Sequence, residues 1–81
     1  MKQHMVDDLK ALAQRAAERH GPIVSDMETL GIVTEEYQEV VDAMRRGERW
    51  RVRAELMDLA VASLRGVIAI DEDRAGGRPM V

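Results

Sequence analysis

The strongest restriction on the fold of this chain comes from two pairs of acidic residues, each pair spaced three positions apart. Glu36 and Glu39 form the first pair, Glu55 and Asp58 form the second, and a short basic stretch separates them. On an α-helix, residues three apart project from one face, so each pair would occupy one small volume. Two such helices packed antiparallel would gather four carboxylates. The pattern therefore predicts a helical hairpin.

The composition favours helices throughout. The 81 residues include one Trp, one Tyr, no Phe and two Pro. Ala, Leu, Glu and Arg are abundant and lose little freedom in a helix, whereas strands favour β-branched and aromatic residues. A chain of this length makes one domain and buries only about 60% of its unfolded surface, so a monomer would be marginally stable.

Several classes of protein are disfavoured by what the sequence lacks. There is no cysteine for a disulfide or a thiolate metal site, and no apolar run approaches the roughly 20 residues of a membrane span. The first ten residues carry acids where a signal peptide would be apolar. The net charge of -3 is too balanced to indicate binding to nucleic acid or to a membrane. We expect a cytoplasmic protein.

Two helices are predicted in the first half of the chain. The first covers residues 5–19, with acids in its first turn, and Gly21 and the proline after it form a stop signal. Ser25 and Glu28 have the spacing of a capping box, so a second helix begins there and continues to Arg46, where a glycine follows.

One apolar stripe is predicted along the second helix. It consists of Leu30, Val33, Tyr37, Val40, Val41 and Met44. Glu36 lies at the edge of this stripe, so its carboxylate is expected at the boundary of the core and not on the solvent face.

The third predicted helix, residues 50–70, is apolar on nearly all sides. The stripe expected to face the core consists of Val52, Leu56, Leu59, Ala60, Ser63 and Val67, and a second stripe consists of Met57, Val61, Leu64 and Ile68. A helix that is apolar all round must be buried all round. Three helices cannot surround it, so the second stripe predicts an interface with another copy of the chain.

These elements predict an all-α fold, a bundle of three main helices completed by oligomerisation. Residues 1–70 would form the single domain. Residues 71–81 lose the helical periodicity and gain glycines and a proline, so they are expected to form a flexible or partner-clasping tail.

Four converging carboxylates need a positive charge among them, because they would otherwise repel one another and raise one another's pKa. All-oxygen ligation selects a hard cation such as Mg²⁺ or Mn²⁺, and Mg²⁺ commonly completes its octahedron with waters and substrate phosphates. His4 and His20 have no partner at metal-ligand spacing and are not expected to be ligands. The pattern therefore favours phosphate chemistry.

The acidic pairs and their surroundings resemble a known signature. Glu36-Tyr37-Gln38-Glu39, then fifteen residues, then Glu55-Leu56-Met57-Asp58 is similar to the ExxE, spacer, ExxD pattern of MazG-like all-α nucleoside triphosphate pyrophosphatases. The doubled acid at 35–36 and the runs 39–44 and 55–60 resemble the sequence pattern usual in that family. Ser25 with Glu28 resembles the pattern of its short, phage-associated members. The resemblance covers roughly residues 22–70.

This resemblance implies Mg²⁺-dependent hydrolysis of a nucleoside triphosphate, deoxy or noncanonical, to the monophosphate and pyrophosphate, as in sanitation of nucleotide pools. The metal ligands and catalytic groups would be Glu36, Glu39, Glu55 and Asp58. The family's usual assembly implies a homodimer or homotetramer whose subunits share the site.

Three further residues are candidates for substrate binding. Arg65 lies on nearly the same side of the third helix as Asp58 and could contact phosphate. Trp50 could stack on a base, although packing at the corner between helices is an alternative, and Tyr37 could line a base pocket or belong to the core. Arg49, like the other arginines of the stretch 45–53, could contact phosphate, but a charge run is usually solvated.

Two other functions remain open. The acidic pairs could be salt-bridged helix faces of a noncatalytic interaction module whose acidic surface docks a basic partner. Phosphoribosyl-ATP pyrophosphatases carry similar acidic pairs, but the histidine expected soon after the second pair is absent, since Val61, Ala62 and Ser63 stand there. The pyrophosphatase of the MazG-like type is the preferred interpretation.

Overall fold

The computed structural model describes residues 2–72 as three α-helices. They are α1 (Gln3–His20), α2 (Asp26–Arg46) and α3 (Arg49–Glu72). No strand occurs in this part of the chain. The predicted all-α class is confirmed, and every helix end lies within two residues of its predicted position.

Local signals fix both ends of α2. The Ser25 hydroxyl accepts a hydrogen bond from the backbone N–H of Glu28 at 3.1 Å, as the capping-box spacing predicts. At the other end, Gly47 adopts the left-handed conformation (φ 69°, ψ 22°) and its N–H bonds to the carbonyls of Ala43 and Met44. Only Gly47 and Glu48 separate α2 from α3, so the two helices form an antiparallel hairpin.

The predicted acidic first turn of α1 is wrong. The helix starts at Gln3, two residues before the predicted start, and its first turn therefore contains no acid. The Gln3 side-chain amide donates to the Asp7 carboxylate at 3.1 Å, one turn along the helix, and this bond supports the earlier start.

The last helix is also longer than expected. Asp71 and Glu72, assigned to the tail from sequence, are the final residues of α3. The remainder of the predicted tail, residues 73–81, lies outside the described residues.

Helix α3 occupies the centre of the described chain, because it packs against both α1 and α2, whereas α1 and α2 do not approach each other closely. Small residues bring α2 and α3 together. A Cβ added at Gly66 would lie 2.5 Å from the Thr29 Cγ2 methyl, so the Thr29 side chain of α2 packs against α3 where α3 has a glycine.

The apolar core of residues 2–72 is small. Its buried members are Ala13, Ile23, Val40, Ala43, Val61 and Ala62. Three of the six are alanines, and among the described residues no large side chain is fully buried. A core of this kind removes little apolar area from water, so packing within one chain contributes modestly to stability.

The structure contradicts the predicted assignment of the two α3 stripes in part, although Ile68 of the predicted interface stripe is 41% exposed. Val61, assigned to the subunit interface from sequence, is 6% exposed and lies within the chain. Leu64 and Ile68 line a groove whose opposite side is α1, including Ala13. Leu56, assigned to the core, is 45% exposed. The assignment was wrong because α1 packs on the second stripe. The periodicity of α3 alone does not indicate which of its two stripes another helix of the same chain covers.

The predicted apolar stripe of α2 is also buried only in part. Val40 is buried as expected, but Leu30, Tyr37 and Met44 are more than half exposed. Helix α3 packs on the neighbouring side of α2, centred on Val40 and Ala43, and the remaining apolar side chains face outward.

None of the three helices, across residues 2–72, is long and apolar enough to cross a lipid bilayer.

Candidate metal centre and adjoining cleft

The hairpin brings three of the four predicted carboxylates together. Glu36, Glu39 and Glu55 each offer an oxygen, and these oxygens lie within 4.8 Å of one another. The register follows from the turn: Glu39 and Glu55 are each eight residues from Gly47, while Glu36 and Asp58 are each eleven residues from it. Residues equidistant from a tight antiparallel turn lie side by side. Asp58 is outside the group of three but adjoins it.

The group of three contains carboxylate oxygens without partners. Oε2 of Glu36 and Oε2 of Glu55 are both buried and form no hydrogen bond with the described residues. The Glu55 side chain is only 14% exposed. Buried oxygens of this kind are costly unless a proton or a cation satisfies them. The donor set, all carboxylate oxygen, suits a hard divalent cation.

Burial and mutual repulsion disfavour ionisation of these acids. Burial, reinforced by the charges on Glu39 and Asp58, raises the pKa of Glu36 from 4.5 to about 7. Burial also raises the pKa of Glu55, with Glu39 adding to the effect. The pKa of Asp58 is raised by burial and by the charge on Glu39. At neutral pH the metal-free cluster therefore holds fewer charges than its four carboxyl groups could carry.

Among residues 2–72, one basic side chain forms an ion pair with the cluster. Arg51 Nη1 lies 3.9 Å from Glu55 Oε1, and Arg51 Nε lies 3.8 Å from Glu48 Oε2. The guanidinium also lies 4.7 Å from the centroid of the Trp50 ring. Its charge opposes the rise in the pKa of Glu55 without cancelling it. The spacing of four residues between Arg51 and Glu55 is a signal for this pair that sequence reasoning passed over.

A cleft of about 570 Å³ adjoins the cluster and is open to all three helices. Helix α2 contributes Glu28, Ile32, Glu35 and Glu36 to its lining, α3 contributes Asp58, Val61, Ala62 and Arg65, and α1 contributes Leu12, Arg15, Ala16, Arg19 and His20. Of the three converging carboxylates, Glu36 lines this cleft, and the adjoining Asp58 lines it as well.

The three residues suggested for substrate binding are placed differently. Arg65 lines the cleft, and its Nη2 donates to the Gly21 carbonyl at 3.2 Å. Tyr37 is 58% exposed and Trp50 is 67% exposed. Neither aromatic residue lines this cleft. The structure thus brings Arg65, and not the two aromatic residues, into the cavity beside the acids.

Sequence reasoning missed the contribution of α1. Arg15, Arg19 and His20 all line the cleft. The spacing of four between Arg15 and Arg19 shows that they share a face of α1. The sequence contains no signal that this face opposes the acids of α2.

Compared with known proteins, the chain matches no family, no curated protein and no solved structure. The resemblance to MazG-like enzymes rests on the residues quoted above and stays a prediction.

Proposed function

We propose that this protein is a Mg²⁺-dependent nucleoside triphosphate pyrophosphohydrolase. The observation that supports the proposal is the convergence of Glu36, Glu39 and Glu55, with their oxygens within 4.8 Å of one another and with two of the buried oxygens unpartnered. A surface that docks a basic protein would present its carboxylates outward. Glu39 and Asp58 are exposed, but Glu36 and Glu55 are half-buried and have raised pKa values. Half-buried acids of this kind beside a cleft are more typical of a site that binds a cation and its ligand.

In the proposed site, Glu36, Glu39 and Glu55 would hold the divalent cation through carboxylate oxygens. The bound cation would neutralise negative charge on the phosphates and on the departing pyrophosphate. Water would attack the α-phosphorus, a new P–O bond would form, and the bond between the α-phosphorus and the bridging oxygen would break. Asp58, which adjoins the three acids and lines the cleft, would accept a hydrogen bond from that water and take up the proton that it loses.

The experiment is a screen of the eight common ribo- and deoxyribonucleoside triphosphates for Mg²⁺-dependent release of pyrophosphate. We expect at least one to be hydrolysed, and we expect Glu39→Gln and Asp58→Asn each to reduce kcat by about 100-fold or more, since each removes a charge from the reacting centre. The fold should persist in both variants, as circular dichroism would show.

Glu18→Gln is the matched control, because Glu18 is an exposed acid of α1 that lines no part of the cleft. Its turnover should equal that of the wild type. Full Mg²⁺-dependent turnover in the Glu39 or Asp58 variant would contradict the assignment of those residues. Silence of the wild type with all eight substrates would favour the interaction module.

The proposed enzyme is a homo-oligomer, a dimer at least. Six large apolar side chains of the α2–α3 hairpin, here called the outer face, recur at helical spacing on each helix, are exposed, and line neither of the two cavities to which α1 contributes. Its exposed members are Leu30, Tyr37 and Met44 on α2 and Leu56, Val67 and Ile70 on α3. Exposed apolar side chains that cluster on two neighbouring helices are typical of an interaction site.

A second copy of the chain fits the outer face in two respects. The exposed members of the face are uncharged, so a partner must offer an equally apolar surface, and the identical face of another copy does so. Pairing two helical hairpins by a twofold axis also produces a four-helix bundle, in which the apolar sides of α2 and α3 become buried.

A further inference from the structure

The cleft beside the carboxylates has walls of opposite charge. Its α1 wall carries Arg15, Arg19 and His20, while the α2 wall carries only acids among its charged residues. Helix α3 forms the base and presents both signs, with Asp58 beside the acidic cluster and Arg65 farther along. At a rise of 1.5 Å per residue, the seven positions between Asp58 and Arg65 span about 10 Å. An extended triphosphate chain is of that order of length.

The three arginines that line the cleft have no acidic ion-pair partner among residues 2–72. Neither Arg15 nor Arg19 forms an ion pair with residues 2–72, since the ion pairs there involve Arg51. Arg65 uses one nitrogen to bond the Gly21 carbonyl, which fixes its side chain against the turn that follows α1. A guanidinium offers several donors in a planar fork, so Arg65 keeps others for a ligand.

A salt-bridged interior would place these bases in contact with the acids opposite. The cleft instead keeps the two sets apart around a volume of about 570 Å³. A ligand that is itself bipolar fits such a space, with a bound cation at one end and unneutralised phosphate oxygens at the other. Arginine is suited to the second task because its fork matches phosphate geometry with two parallel hydrogen bonds.

We propose that Arg15, Arg19 and Arg65 bind the terminal phosphates of the substrate, while the carboxylates of Glu36, Glu39 and Glu55 hold the divalent cation at the reacting end. The inference rests on the proposed function for the identity of the ligand, a nucleoside triphosphate. It assigns to α1 a binding role, and it orients the substrate with its phosphate tail along α3 towards Gly21.

The test measures binding of inorganic tripolyphosphate with Mg²⁺ by calorimetry, so that no turnover is needed. We expect the Kd of the probe to rise about 10- to 100-fold in the double variant Arg15→Gln/Arg19→Gln. The matched control is Lys2→Gln/Lys10→Gln, which removes two exposed positive charges outside the cleft. Its Kd should change less than about threefold. Melting curves of both variants check that the helices persist.

The outcomes separate this inference from the proposed function. Equal loss of affinity in the two double variants would show general charge attraction and would overturn the inference, as would an unchanged Kd in Arg15→Gln/Arg19→Gln. A wild type that does not bind the probe overturns it as well. Selective loss with the Arg15 and Arg19 substitutions supports it, even where no nucleotide is hydrolysed. Selective loss of affinity without hydrolysis of any nucleotide would support the phosphate-binding site and refute the proposed reaction.

Discussion

At the scale of single residues, Glu36 concentrates the chemistry of the site. Its carboxyl is half-buried on α2, it has one buried oxygen without a partner, and it faces Glu39, Glu55 and Asp58. Its position at the edge of the apolar stripe could be predicted from helical spacing. The rise in its pKa could not be predicted, because the burial that chiefly causes it depends on how closely α2 and α3 approach.

The raised pKa of Glu36 makes the stability of the metal-free protein depend on pH. Because this pKa is about 7 in the folded chain and 4.5 for an unperturbed glutamate, the folded state holds the proton more tightly than the unfolded state. The resulting stabilisation is complete below the unfolded value and is lost as pH rises through about 7. The raised pKa values of Glu55 and Asp58 act in the same direction.

We therefore expect the melting temperature of the metal-free protein to fall as the pH is raised from 5 to 8. Allowing for the partial exposure of the cluster, the free energy of unfolding should fall by about 1–2 kcal/mol over this pH range. Glu36→Gln should flatten this dependence, and Glu18→Gln should not. Saturating Mg²⁺ should raise the melting temperature more at the higher pH, where the carboxylates are ionised. A rise in metal-free stability between pH 5 and 8 would contradict the assigned pKa direction.

At the scale of helices, the helix ends were predictable from the sequence, whereas the side of each helix that is buried was predictable only in part. Ser25 and Gly47 fix the ends of α2 through bonds to their own neighbours, so a local pattern suffices. The buried side of α3 depends on which helix packs against it. Val61 and Leu56 lie on opposite apolar stripes of α3, and the periodicity assigned each to the wrong environment.

Two glycines give a matched test of helix packing. A Cβ at Gly66 would lie 2.5 Å from Thr29 Cγ2, whereas a Cβ at Gly31 would meet nothing within 4 Å. Gly66→Ala should lower the free energy of unfolding by about 1–3 kcal/mol through overpacking. Gly31→Ala should raise it by about 1 kcal/mol, because alanine is the better helix former. Urea denaturation measures both.

Thr29→Ser supplies the control for the Gly66 result, because serine lacks the Cγ2 methyl. In a protein that carries Thr29→Ser, the cost of Gly66→Ala should be smaller than in the wild type. Equal costs in the two backgrounds would mean that the contact with Thr29 does not explain the effect.

At the scale of the whole molecule, the described chain exposes larger apolar side chains than it buries. The largest buried side chain of the described core is that of Ile23, whereas Tyr37, Leu56 and other large apolar side chains of the outer face are in solvent. From the sequence, the apolar character of α3 in so short a chain predicted oligomerisation. Which side of the hairpin is left exposed could not be predicted, because it depends on where α1 packs.

The assembly can be tested by charging the outer face. Wild type should sediment with at least twice the mass of one chain, and Leu56→Glu should reduce it to a single chain, since a buried unpaired carboxylate is costly. Val24→Glu is the control, because Val24 is also exposed but precedes α2 and lies off the outer face. A wild-type mass equal to one chain would refute the assembly.

The contact between Arg51 and Trp50 has an optical consequence. The guanidinium lies 4.7 Å from the indole centroid, and the same guanidinium lies 3.9 Å from a Glu55 oxygen. The chain contains one Trp, so all of its indole emission arises at this position. A ligand that draws the Glu55 carboxylate away from Arg51 alters the charge over the ring. If the cluster binds Mg²⁺ as proposed, we expect a Mg²⁺ titration to change the emission of Trp50, and this change would measure cation affinity without an attached label.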